Sequence, residues 1–87
     1  MSVLRVHPDA AWLEDDDVVY AAPLPDGPPV VLDGPGAVVW RAVVPGGSLE
    51  DVVARVAAEV GASAEVVAAD VATFVDQLVA GGLVAHE

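Results

Sequence analysis

Val30-Val31-Leu32-Asp33-Gly34-Pro35-Gly36-Ala37-Val38-Val39-Trp40 is where the chain changes its texture. Val30, Val31 and Leu32 follow Pro28 and Pro29, as a short strand follows a turn. Asp33-Gly34-Pro35 reads as a helix entrance. Asp33 is the expected cap, and Pro35 sits near the first helical position, where its missing N–H costs no hydrogen bond. A first helix then runs through Val38, Val39, Trp40, Ala42 and Val43 and stops at Pro45-Gly46-Gly47. Strands are therefore expected before this stretch and helices after it.

Upstream, residues 10–14 suit a strand, and Val18 to Ala22 suit a second. Asp15, Asp16 and Asp17 form the turn between them, because Asp tolerates left-handed backbone. Along the second strand Val18 and Tyr20 share one face, Val19 and Ala21 the other. Pro23-Leu24-Pro25-Asp26-Gly27-Pro28 is a turn on its Pro and Asp-Gly content. With Val30–Leu32 as the third strand, an antiparallel meander is the simplest arrangement. Downstream, Ser48 and Asp51 fit a capping box. Leu49, Val52, Val53, Val56, Ala57 and Val60 repeat at helical spacing up to Gly61. Ser63 is expected to cap a third helix with an apolar stripe of Val67, Val71, Phe74, Val75 and Leu78, ended by Gly81-Gly82. That stripe is too wide to face one direction, so part of it is free to line a groove. Leu83 and Val84 then fold back onto the core. Three strands followed by three helices predict an α+β fold, since a small sheet must bury one face against helices.

The chain has 87 residues, which predicts a single domain over 1–87 with its core at about 10–84. Fourteen acidic residues face three basic ones, Arg5, Arg41 and Arg55, for a net charge of -11. That balance excludes nucleic acid as a partner, since phosphate binding needs clustered cations. It also opposes anionic membranes. Zero cysteine excludes disulfides and thiolate chemistry. With no secretory signal and no long apolar run, the expected compartment is the cytoplasm.

Catalysis has little support. The serines are Ser2, Ser48 and Ser63, and the last two sit at helix caps, so no nucleophile–base pair is expected. His7 and His86 lie near opposite, frayed ends and read as exposed. Asp15–Asp17 reads as a solvated turn, since no Asp-x-Asp-x-Asp-Gly loop is present. No metal and no other cofactor is expected. The last two helices resemble a helix-turn-helix, yet the second offers Glu65, Asp70, Thr73, Asp76 and Gln77, the wrong chemistry for a DNA groove. Gly46-Gly47-Ser48-Leu49 resembles the serine region of acyl and peptidyl carrier proteins, where serine receives a phosphopantetheine arm. Against that alternative, Gly47 replaces the usual Asp or His, and carriers are all-helical.

Taken together, Val19-Tyr20, Pro23-Leu24-Pro25-Asp26-Gly27, Val30-Val31-Leu32-Asp33-Gly34 and Val38-Val39-Trp40 resemble the PqqD-like family. This family is also described as the recognition element of ribosomally made, post-translationally modified peptide (RiPP) pathways. The helix start Ser48-Leu49-Glu50-Asp51 and the closing Asp70-Val71, Phe74-Val75, Leu78 and Gly81-Gly82-Leu83 fit as well. Asp33 stands where many relatives have Asn. The resemblance implies a winged-helix-like domain that binds without catalysis, a peptide chaperone. The leader segment of a precursor peptide would add a strand along Val30, Val31 and Leu32 and rest against Val67, Asp70, Val71 and Phe74. The implied partner is a tailoring enzyme: a radical enzyme, a cyclase or a protease. The residues are compatible with this, because Val30–Leu32 is a sheet edge blunted only at its start by proline.

Overall fold

The computed structural model describes residues 3–87. Its elements are β1 (Leu4–Val6), β2 (Ala10–Asp15), β3 (Val18–Pro23), β4 (Val30–Leu32), α1 (Pro35–Val43), α2 (Leu49–Val60), α3 (Ala64–Ala80) and β5 (Val84–His86). Strands β2, β3 and β4 form the expected antiparallel meander in that order, followed by three helices. The fold is α+β. Asp16 and Asp17 adopt positive φ, 54° and 66°, in the turn between β2 and β3. Val19 and Ala21 point into the core while Tyr20 is exposed, as alternation requires.

One sheet was not anticipated. β1 pairs antiparallel with β5, placing Leu4 opposite His86 and Val6 opposite Val84. The two ends of the described chain are therefore joined by a ladder and are not frayed. Leu4 also exchanges backbone bonds with Gly47, so β1 is held between β5 and the loop that joins α1 to α2. Leu4, Leu83 and Val84 are buried. Ser2 lies outside the described residues.

The helix caps divide. Ser48 forms the expected capping box, its Oγ accepting from the Asp51 N–H at 3.1 Å while Asp51 accepts from the Ser48 N–H. Ser63 is the N-cap of α3 but its side chain makes no cap bond. Asp33 is not the cap of α1. Gly34 is, with φ 52°, and the Gly36 N–H donates to the Asp33 backbone carbonyl. Positive φ at Gly34 inserts an extra turn residue between Asp33 and the helix, which removes the carboxylate from the capping position.

Trp40 is the centre of the core and fully buried. The Trp12 ring meets it edge-on, with centroids 5.6 Å apart and planes at 70°, a favoured aromatic geometry. Val43, Val52, Val71 and Val75 surround this centre. The Arg55 guanidinium donates to the carbonyls of Ala42 and Gly46 at 2.9 and 2.8 Å. It thereby satisfies carbonyls at and just beyond the C-terminal end of α1, which have no partner within the helix.

Candidate functional site

The sheet has a free edge at β4, and the ladder fixes which backbone groups it presents. A two-residue loop joins β2 to β3, so Asp15 and Val18 are the hydrogen-bonded pair that closes the hairpin. At the other end the Leu24 N–H donates to the Asp9 carbonyl at 2.8 Å. Both ends set the same phase. Bonded and non-bonded pairs alternate, so Leu13 and Tyr20 bond each other, and Val19 and Ala21 turn toward β4. Their partners there are Leu32 and Val30. Val31, opposite Tyr20, therefore turns its N–H and C=O to the free side of the sheet. Pro28 and Pro29 precede β4 and offer no N–H.

Beside this edge lies an apolar cleft of ≈ 310 Å³ between β4 and α3. Pro23, Val30 and Leu32 line it on one side, Phe74, Gln77 and Leu78 on the other. A second cavity of ≈ 370 Å³ lies further along α3. There Val67, Asp70, Val71 and Phe74 face Gly34 and Pro35 at the start of α1. Phe74 lines both. Its ring rests over Gly36, where an added Cβ would lie 2.9 Å from the ring tip. Glycine at that position is what allows α1 to approach so closely.

The structure thus divides the residues expected to bind a peptide. Val30, Leu32 and Phe74 share the β4 cleft. Val67, Asp70 and Val71 line the neighbouring cavity, reached across Phe74. The Val31 side chain enters neither and is 60 % exposed on the outer sheet face. Within the α3 stripe, Val71, Val75 and Leu78 are buried, while Val67 and Phe74 are half-buried at the cavities. Two contributors are not among the residues expected from the sequence. Gln77 follows Phe74 by three residues on the same helical face, a spacing visible in the sequence. Gly36 has no local signal, because its role depends on a residue 38 positions away.

Apolar side chains, an unpaired edge amide and one exposed carboxylate, Asp70, converge on this region. Among the described residues no group of three or more His, Asp or Glu is placed to hold a metal. His7 is half-buried, and its Nδ1 accepts from the Asp9 N–H at 3.0 Å. No helix among the described residues is long and apolar enough to cross a membrane.

The chain is a small α+β domain with a free strand edge beside an apolar cleft, backed by a three-helix layer. The family model described as coenzyme PQQ synthesis protein D (PqqD) matches residues 24–84, from the turn before β4 to the start of β5. The chain belongs to the PqqD family. No curated protein and no solved structure matches it.

Proposed function

We propose that the chain is a non-catalytic module that binds the leader segment of a ribosomally made precursor peptide and delivers it to a modifying enzyme. The leader adds as a strand to β4. Val31 donates and accepts the backbone bonds, and apolar leader side chains enter the cleft between β4 and α3. Phe74 divides that cleft from the Val67–Asp70–Val71 cavity, so a longer leader reaches both, and Asp70 meets a basic or hydrogen-bonding residue there. The observation that carries this reading is the outward-facing backbone of Val31 beside the apolar wall of Val30, Leu32 and Phe74. Strand addition draws affinity from main-chain bonds and specificity from side-chain pockets, and both parts are present side by side. Family membership supports the same reading. The module acts as a single domain in the cytoplasm, where ribosomal products are made. The test is a titration with the leader of a precursor encoded beside this chain. Binding of the leader, and none of the core segment alone, is expected; equal binding of both contradicts a leader-recognition role.

A further inference from the structure

Helix α3 has a second apolar face. Ala68, Ala69 and Ala72, with Glu65, lie about half a turn away from Val67, Asp70, Phe74 and Gln77 at roughly 3.6 residues per turn. With Leu49, Glu50 and Val53 of α2, they line an open groove of ≈ 650 Å³. Its floor is small and apolar, and carboxylates stand at its sides. Leu49 is 40 % exposed.

We propose that this groove is the docking site for a cationic amphipathic helix on the protein that receives the leader. Three observations select that occupant. The walls are two helix flanks with no strand edge for a guest to extend, so recognition rests on side chains, as in helix-in-groove binding. A floor of alanines admits large apolar side chains. Glu50 and Glu65 favour flanking Lys or Arg. A second copy of this chain is a poor occupant, because each copy carries a net charge of -11. All three of its arginines are engaged: Arg5 with Glu87, Arg41 with Glu14, and Arg55 with backbone carbonyls. The groove and the β4 cleft occupy opposite faces of α3, so leader and receiving protein bind together. Identifying the partner in this way rests on the leader-delivery reading; the chemistry of the groove does not.

The test titrates the isotope-labelled full chain with a synthetic helix of Leu on one face and Lys on the other, followed by NMR. Amide shifts are expected over Leu49–Val53 and Ala64–Ala72 and not at Val31 or Phe74. A scrambled peptide of identical composition should bind more weakly by about tenfold, since its apolar residues no longer share a face. Ala69→Arg, at an exposed helical position that leaves the fold intact, should cost about tenfold by filling the groove with like charge. The Glu50→Gln, Glu65→Gln variant should weaken binding while its uncomplexed amide spectrum changes only around the two substituted positions. Equal binding of the scrambled peptide, shifts centred on Val31 and Phe74, or self-association of the chain through this groove would each overturn the assignment. Leader binding is read at Val31 in a separate titration, so failure of one site is distinguishable from failure of the other.

Discussion

Phe74 is the residue on which the candidate site turns, because its ring separates two cavities and rests on Gly36. Gly36→Ala places a methyl group against that ring, which must shift into one of the cavities. Leader affinity is expected to fall, by calorimetry, while the far-ultraviolet circular dichroism spectrum stays that of the parent. Unchanged affinity would mean that Phe74 is not part of the peptide wall. Trp40 belongs to the fold and not to the site. With the ring fully buried, Trp40→Ala should lose about 3–5 kcal/mol in chemical denaturation, a large share of what a small domain has. Ser48 carries a cap, so Ser48→Ala should cost about 1 kcal/mol. The carrier alternative is checked at the same residue: treatment with a phosphopantetheinyl transferase and coenzyme A is expected to leave the intact mass unchanged.

At the scale of elements, β4 was legible with its bounds, because prolines, a turn and a helix entrance enclose it. The three helices were legible for a similar reason: apolar spacing and Gly or Pro stops agree. The β1–β5 sheet was not. Leu4–Val6 and Val84–His86 are three residues each, too short to show a period, and their pairing joins opposite ends of the chain. The division of the site between two cavities was also hidden. Spacing assigns Val67, Asp70, Val71 and Phe74 to one helical face, but only the position of α1 decides that Phe74 reaches β4 while the others face Gly34 and Pro35. The ladder phase yields a prediction specific to β4. Proline is tolerated on an edge strand where its N–H would face outward. Val31→Pro should therefore fold normally and abolish leader binding. Val31→Thr alters the exposed side chain, retains the amide and should bind. If Val31→Pro binds as the parent does, the strand-addition geometry is wrong.

At the scale of the whole molecule, charge decides which partners approach. A net charge of -11, with every arginine engaged internally, draws cationic peptides and repels phosphate backbones. Leader binding is expected to weaken as salt rises, because screening shortens the reach of that field. Asp70→Ala should flatten the salt dependence without unfolding the chain, since Asp70 is exposed. Mixed-sequence duplex DNA should show no mobility shift even at low salt. The central claim, that a leader adds as a strand to β4, is tested most directly by residue-resolved amide exchange with and without bound leader. Val30 and Leu32 bond β3 in either state, so their protection should change little. The Val31 amide should pass from exchanging freely to strongly protected. A Val31 amide that exchanges equally fast in the complex, or new protection at Trp12 on the opposite edge of the sheet, would contradict it.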